Sequence, residues 1–280
     1  MKNILFSMLV LLLVQKGNAQ NLICSPQDRS TFETKIQAIS NFKNQSVGEN
    51  MVSIGKTFMG TPYVAKTLEI GKTESLVINL QGLDCTTFVE NVLAFSLMLK
   101  HSKKDFDSFV QYLETIRYKN GKLNGYASRL HYFSEWIANN DHKGLLKDIT
   151  SQIGGVESNK AINFMSTHRE LYPFLKDADN FEKIQASEKF LRSQSICILP
   201  QDQIKANEHL IRSGDIIALT TSIKGLDITH TGIATREADG RIHLLHASTG
   251  SLEVEITKQP LADYLKDIKS NTGIMVARPL

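Results

Sequence analysis

The chain has 280 residues, enough for one large domain, and its 41% hydrophobic and 22% charged content is that of an ordinary globular protein. The net charge of +3 balances 32 basic against 29 acidic residues, with no basic stripe or polybasic patch. This pattern excludes nucleic acid and an electrostatic membrane contact as expected partners. No internal repeat, low-complexity tract or Pro/Gly/Ser-rich linker divides the chain.

The first 19 residues predict a secretory signal peptide. Lys2 precedes an apolar run from Ile4 to Val14, and a short polar stretch ends at Ala19. This order is typical of a signal that is cleaved after a small residue. The alternative is a retained anchor, but the run is shorter than the ~20 apolar residues of a membrane span. We therefore expect an exported protein, periplasmic or secreted, with no stable membrane insertion after cleavage and a single domain over residues 20–280.

The first half of that domain is predicted to be mainly helical. Residues 30–33 match a capping box and are followed by apolar residues at helical spacing. A second helix covers residues 47–58, and Asp84 occupies the N-cap position of a third. The helical pattern continues from Phe106 to about Asn139, so we expect a helical elaboration around residues 100–200.

After Gly214 the pattern changes to short runs of β-forming residues. Helices first and an antiparallel sheet afterwards predict an α+β fold. The predicted strands cover residues 75–80, 215–219, 228–235, 242–246, 253–256 and 274–277.

Three cysteines follow the signal segment, and Cys85 is a candidate nucleophile. An odd number leaves at least one thiol unpaired, and if any pair forms we expect Cys24 with Cys197. Cys85 lies in the first turn of a predicted helix, where free N–H groups and the helix dipole favour a thiolate and could hold an oxyanion. The alternative is that Cys85 is a small buried hydrophobic residue.

Two histidines on one predicted hairpin are the candidate base and its orienting partner. A three-residue loop ending at Gly240 pairs residue 237 with 241, and this register makes His230 and His246 diagonal neighbours on one face. His243 then points to the other face. Histidine has the pKa range that a general base requires.

Two alternatives to this pair stay open. The histidines could be half-buried strand residues satisfied by backbone groups. One cysteine and two histidines could also bind zinc, but the sequence has no CxxC, HxH or HExxH spacing to support a metal site. We therefore expect neither a metal nor a cofactor.

Four short motifs together resemble the NlpC-type superfamily of papain-like cysteine hydrolases, which act on bacterial cell walls. They are Gly60-Thr61-Pro62-Tyr63-Val64, Leu83-Asp84-Cys85-Thr86-Thr87-Phe88-Val89, His230-Thr231-Gly232-Ile233 and Leu245-His246-Ala247-Ser248. The resemblance implies a fold in which the cysteine opens a helix that packs on a sheet. It implies Cys85 as nucleophile, His230 as general base and acid, His246 as orienter and Tyr63 as a residue lining the site.

Three further segments are similar to an N-acetylmuramoyl-L-alanine amidase-like branch, so the resemblance spans about residues 45–280. They are residues 83–90, Ser128-Arg129-Leu130-His131-Tyr132-Phe133-Ser134 and Ile162-Asn163-Phe164-Met165-Ser166. The commoner superfamily motif is Asp-Cys-Ser-Gly, whereas this chain has Asp-Cys-Thr-Thr. The branch implies hydrolysis of the amide bond between the muramic acid lactyl group and L-alanine.

This resemblance makes peptidoglycan or its muropeptide fragments the expected partner. The expected substrate-binding residues are Tyr63, Thr86, Arg129, His131, Tyr132 and Asn163, with helix packing or a surface contact as the alternative for the last four. The alternative functions are a D,L-endopeptidase that cuts the stem peptide, a thiol acyltransferase and a non-catalytic wall-binding module.

Overall fold

The computed structural model describes residues 22–40, 42 and 46–280, so the predicted signal peptide lies outside the described residues. The α-helices of this part are α1 (Pro26–Ile39), α2 (Val47–Lys56), α3 (Cys85–Lys100), α4 (Phe106–Arg117), α5 (Phe133–His142), α6 (Phe164–Thr167), α7 (Ala178–Arg192), α8 (Ile204–Asn207) and α9 (Leu261–Tyr264).

The strands form one large antiparallel sheet and one small parallel pair. The large sheet has the order β4-β5-β10-β6-β7-β8-β9, and β3 also pairs with β10. The small sheet consists of β1 and β2 in parallel. The strands are β1 (Leu22–Cys24), β2 (Leu76–Ile78), β3 (Leu146–Asp148), β4 (Val156–Ser158), β5 (Ile196–Pro200), β6 (Ile216–Thr221), β7 (Ile228–Arg236), β8 (Ile242–Ala247), β9 (Val254–Ile256) and β10 (Asn271–Pro279). The predicted α+β class is confirmed.

The large sheet is buried on both faces, which explains the continuous apolar runs of β6 and β8. Alternate residues such as Ile216 and Leu245 join the main core with α2 and α3. Their neighbours, such as Ile217 and Leu244, join a second core with α9. Since side chains alternate along a strand, the central strands β6, β7, β8 and β10 each supply both cores.

Helix α3 is the central helix of the main core, because nearly all of its side chains are buried. A helix that is apolar all round is expected in such a position. It packs against α2, α4 and strand β7. The burial fixes the position of its first turn against the sheet, and Cys85 is the first residue of that turn.

Two helix predictions in the first half were wrong in their bounds. The first helix begins five residues earlier than the predicted capping box: Ser25 is the N-cap, Asp28 completes the box and Pro26 is the first helical residue. Pro26 is pre-organised for that position. The pattern predicted as helical from Phe106 to Asn139 contains α4 and most of α5, separated by residues 118–132 with two short 3₁₀ turns.

The three cysteines are free thiols, so the suggested pairing of Cys24 with Cys197 is not found. Cys24 belongs to the small parallel sheet, whereas Cys197 lies in β5 of the large sheet. Within residues 22–40, 42 and 46–280, the helices are all too short or too polar to cross a bilayer.

Candidate active site

Cys85 begins α3 directly after the N-cap residue Asp84. The Asp84 carboxylate accepts the N–H of Thr87 at 2.8 Å, and the Thr87 hydroxyl oxygen accepts the N–H of Asp84 at 2.9 Å. The Asp84 carbonyl accepts the N–H of Phe88. The N–H groups of Cys85 and Thr86 lie before Phe88, the first donor of the intrahelical ladder. They have no acceptor within the helix and can donate to an incoming oxygen atom.

The Cys85 thiol is neutral at rest, contrary to the thiolate expected from its place at a helix start. Burial, and then the neighbouring Asp84 carboxylate, raise the pKa of Cys85 to about 12. Hydrogen bonding from the Thr231 backbone and from Thr86 opposes this rise. Desolvation thus outweighs the helix dipole, and the thiol needs a base to become nucleophilic. The contact with Thr231 also places the thiol beside the residue that follows His230.

The hairpin of β7 and β8 has the predicted register. Pairing runs from Arg236–Ile242 to Ile233–Leu245, and Gly240 has a left-handed φ of 77°. His230 and His246 lie just beyond the last of these pairs on one face of the sheet. His230 Nε2 lies 2.6 Å from His246 Nδ1, and the two rings meet edge to face at 85°. We refer to these two residues as the histidine pair.

Gly232 makes this contact possible because it lies opposite His246 in the hairpin register. A Cβ atom at position 232 would lie 2.8 Å from the Leu245 carbonyl oxygen and 2.9 Å from the His246 Cβ. Both distances are too short for a real side chain, and the first obstacle is backbone. The glycine of the His-Thr-Gly-Ile motif thus leaves the space that the second ring needs.

Both members of the histidine pair are neutral near pH 7. Burial lowers the pKa of His230 to about 4. Burial, and then the charge of His230, lower the pKa of His246 to about 3. With Nε2 of His230 bound to His246, Nδ1 is the ring nitrogen left to take a proton. His243 lies on the opposite face, bonded to the Thr257 carbonyl at 2.7 Å and to Asp239 at 3.0 Å.

Tyr63 lies beside the cysteine, in a loop held between two segments of the site. Its backbone N–H donates to the Leu252 carbonyl, and the residue bridges to Leu83, two positions before Cys85. Burial, and then electrostatic repulsion between the phenolate form and Cys85 and Asp84, raise the pKa of the Tyr63 phenol. The hydroxyl is therefore protonated at neutral pH and can donate a hydrogen bond.

A cavity of about 240 Å³ adjoins the start of α3. Its lining includes Asp84 and Thr86, which flank the cysteine, and it also includes Arg129 and His131. Three of the predicted substrate-binding residues, Thr86, Arg129 and His131, thus share one cavity. The His131 ring bonds to the Tyr126 carbonyl at 2.9 Å, and burial holds its pKa well below the usual range. His131 is therefore a neutral group here.

Arg129 belongs to a set of buried charges that we name the charged wall: Glu69, Glu74, Glu90, Arg117 and Arg129. Arg129 pairs with Glu69 and, at 3.3 Å, with Glu74. Glu90 lies one helical turn after Thr86 and pairs with Arg117 at 2.7 Å, with both side chains 2% exposed. Burial alone would lower the pKa of Arg129, but Glu74 and Glu69 raise it. The guanidinium groups are thus already paired with protein carboxylates.

Two predicted binding residues lie elsewhere. Tyr132 is 2% exposed, donates its hydroxyl to Glu188 at 2.8 Å and accepts the Met165 N–H at 2.8 Å. The assignment of Tyr132 to substrate is therefore corrected to helix packing, since its hydroxyl is already bonded on both sides. Asn163 is the N-cap residue before α6 and donates its N–H to the Gly225 carbonyl, and it is not among the residues lining the cavity beside Cys85.

Sequence reasoning missed two groups near the site. Lys66, Glu69 and Tyr172 line the cavity but come from loops without a periodic pattern. Glu255 lies opposite His246 in the β8–β9 ladder, and its Oε1 is 3.9 Å from His246 Nε2. The predicted strand over residues 253–256 contained the signal for Glu255, because an antiparallel register gives each residue a partner. Among residues 22–40, 42 and 46–280, no group of three or more His, Cys, Asp or Glu side chains is placed to hold a metal.

A thiol at a helix start, a neutral histidine pair and an adjoining cavity are groups that the hydrolysis of an amide bond can use. The sequence profile of the AmiA-like family, described as N-acetylmuramoyl-L-alanine amidase-like, matches residues 53–274. The chain therefore belongs to this amidase-like family of peptidoglycan hydrolases. Comparison with curated protein sequences gives no match.

Several solved structures are similar over most of the chain. An N-acetylmuramoyl-L-alanine amidase from Bacteroides uniformis ATCC 8492 is 40% identical with a TM-score of 0.80, covering 84% of this chain and 99% of its own. A protein from Bacteroides fragilis described as a putative xylanase is 44% identical with a TM-score of 0.76, covering 80% and 98%. The Legionella pneumophila protein LPG0564 shares the fold at 22% identity, with a TM-score of 0.68 and coverage of 90% and 95%.

Proposed function

We propose that the protein is an exported cysteine amidase with an NlpC-type, papain-like catalytic domain that hydrolyses the amide bond between N-acetylmuramic acid and L-alanine in peptidoglycan. The observation that carries the proposal is the 2.6 Å contact in the histidine pair, beside the strand residue Thr231 that acts on the Cys85 thiol. The amidase-like family and the Bacteroides uniformis amidase support the choice of bond.

The first chemical step forms a thioester. His230 Nδ1 takes the thiol proton while Cys85 Sγ attacks the lactyl carbonyl carbon, and the carbonyl oxygen becomes an oxyanion. The N–H groups at the start of α3 and the Tyr63 hydroxyl donate hydrogen bonds to this oxyanion. As it collapses, the C–N bond breaks and the proton on His230 passes to the amine of L-alanine.

The second step regenerates the thiol. His230 takes a proton from water, and the hydroxide oxygen attacks the thioester carbon. The C–S bond breaks, the muramic acid lactyl group leaves as a carboxylic acid, and the proton on His230 returns to Cys85. Because both histidines are neutral at rest, the base is available without prior deprotonation.

Mass spectrometry of purified muropeptides after incubation with the mature protein tests this proposal. We expect free peptide that begins with L-alanine, together with the peptide-free sugar. The Cys85→Ala variant should release none, whereas Cys197→Ala, which removes a thiol from β5, should retain activity. Cleavage inside the stem peptide would change the assignment from an amidase to a D,L-endopeptidase. The absence of cleavage of any muropeptide would contradict the assignment as a peptidoglycan hydrolase.

Export is tested separately. We expect the N-terminus of the protein recovered from the producing cell to be Gln20, in a fraction released with the periplasm or medium. Recovery of the intact 280-residue chain in the membrane fraction would instead indicate a retained anchor.

A further inference from the structure

The outer ring nitrogen of His246 faces an acidic side chain to which the sequence motifs assign no role. His246 is 1% exposed, and its Nε2 atom is buried without a hydrogen-bond partner among the described residues. Glu255 lies directly opposite in the β8–β9 ladder, with Oε1 3.9 Å from that nitrogen. A polar atom buried without a partner is costly, so the place of the carboxylate beside it is significant.

The proton arrangement of the histidine pair depends on this outer nitrogen. If His230 Nδ1 is to accept the thiol proton, His230 must carry its resting proton on Nε2 and donate it to His246 Nδ1. His246 Nδ1 must then be an acceptor, which places the His246 proton on Nε2. A carboxylate facing Nε2 favours this tautomer, because a carboxylate accepts a hydrogen bond and cannot donate one.

We propose that Glu255 is a positioning residue that fixes the tautomer of His246 and, through it, the free Nδ1 lone pair of His230. The inference rests on the proposed function. Closing the 3.9 Å separation to a hydrogen bond needs a movement of about 1 Å, within reach of a glutamate side-chain rotation. The negative charge also stabilises the imidazolium that His230 becomes during the reaction.

Within the described part of the chain, the other side chains that contact His246 carry no negative charge. His230 faces it from β7 and occupies Nδ1. Tyr264 faces it from α9 edge to face, with ring centroids 5.9 Å apart. Glu255 faces it from β9 and is the negatively charged group of the three.

The first test reads the tautomer directly and needs no substrate. We expect the ¹⁵N NMR spectrum of the protein to show His246 protonated on Nε2. In Glu255→Gln the amide can donate to Nε2, so the Nδ1-protonated form should appear. The matched control is Glu157→Gln, which removes the same charge from the exposed strand β4 at the other edge of the sheet; its spectrum should match that of the unmodified protein.

The second test reads the reactivity of Cys85. Between pH 6 and 9, iodoacetamide should alkylate Cys85 about ten- to a hundredfold more slowly in Glu255→Gln than in Glu157→Gln, and kcat on muropeptides should fall similarly while KM stays within about twofold. This is a smaller loss than when a directly bonded triad member holds the wrong tautomer. Glu255→Asp, which retains the carboxylate, should recover most of the rate.

These results separate the two proposals. Absence of muropeptide cleavage by the unmodified protein contradicts the proposed function, while the tautomer and alkylation measurements still test Glu255. An Nδ1-protonated His246 in the unmodified protein would overturn the positioning role, as would identical tautomers and alkylation rates in Glu255→Gln and Glu157→Gln. If Glu255→Gln does not fold, Glu255→Ala takes its place, because it also removes the carboxylate. It should slow alkylation of Cys85 relative to Glu157→Ala without changing KM, and equal alkylation rates would overturn the positioning role.

Discussion

The charged wall and the histidine pair are both close to the start of α3, and they accommodate buried titratable groups in opposite ways. In the charged wall, three carboxylates share two buried guanidinium groups in salt bridges. In the histidine pair, the groups are buried as neutral rings whose pKa values lie well below 6.5. Each charge of a buried ion pair depends on its partner, because the loss of one partner leaves the other uncompensated, whereas a neutral ring can take up a proton.

The charged wall therefore has a structural role, whereas the histidine pair can take part in proton transfer. A guanidinium group already paired with two carboxylates does not need substrate for its stability, so Arg129 chiefly shapes the cavity. A neutral imidazole at the end of a hydrogen-bonded chain can accept a proton. Substitutions on the two sides should therefore separate loss of activity from loss of stability.

The largest expected effect is on activity. His230→Gln should lower kcat by up to about 10⁴-fold, since it removes the general base, while the free energy of unfolding changes little. His243→Gln, on the opposite face of the same hairpin, is the matched control and should retain activity per folded molecule. Steady-state kinetics on muropeptides measure both variants. Equal losses in the two would remove the base assignment.

The next effect is on stability. Arg117→Met should lower the free energy of unfolding by about 3–5 kcal/mol, because it leaves Glu90 buried without its partner. The double variant Glu90→Leu/Arg117→Met should recover much of this loss. Lys183→Met, in the exposed Lys183–Asp179 pair, should change stability by less than about 1 kcal/mol. Urea denaturation measures all three, and a small loss in Arg117→Met would show that the pair is not desolvated.

The third effect depends on pH. The unfolded chain protonates His246 near pH 6.5 and the folded chain only near 3. The unfolded state thus binds more protons between these values, so stability falls as the pH falls through this window. When the pH is lowered from 7.5 to 5, the free energy of unfolding should fall by about 2 kcal/mol less in His246→Asn than in the unmodified protein. Equal acid sensitivity, measured by urea denaturation at both pH values, would contradict a neutral buried His246.

The smallest effect concerns Tyr63. Tyr63→Phe should lower kcat by about tenfold or less with KM nearly unchanged, because the helix-start N–H groups still hold the oxyanion. Tyr172→Phe, in the wall of the cavity, is a matched control that should retain kcat. If Tyr63→Phe raises KM and leaves kcat unchanged, the Tyr63 hydroxyl binds the substrate before reaction and does not stabilise the oxyanion.

Sequence patterns predicted the hairpin better than the middle of the chain. Gly240 determines the loop, the loop determines the register, and the register places His230 beside His246. The N-cap role of Asp84 was equally predictable, because an N-cap side chain bonds to a residue only three positions away. Such local rules need no knowledge of distant contacts.

Long-range packing explains what could not be predicted. The apolar pattern after Phe106 does not show that residues 118–132 leave the helix. The side chain of Tyr118 donates its hydroxyl to Glu74, which lies in a loop 44 residues away, and such a contact has no local sequence pattern. The hydroxyl of Tyr132 resembled a substrate contact, yet its acceptor Glu188 lies 56 residues away. The pKa of Cys85 likewise depends on burial by the sheet, which a helix-start pattern cannot reveal.

The tight packing around Gly232 limits which residues position 232 can tolerate. A side chain at this position would collide with the backbone of Leu245 and with His246, although Gly232 is not among the residues lining the cavity. A saturation library at codon 232, selected for hydrolysis of peptidoglycan, should therefore return glycine alone. The same codon offers a one-step route to an inactive relative in which both histidines are still encoded.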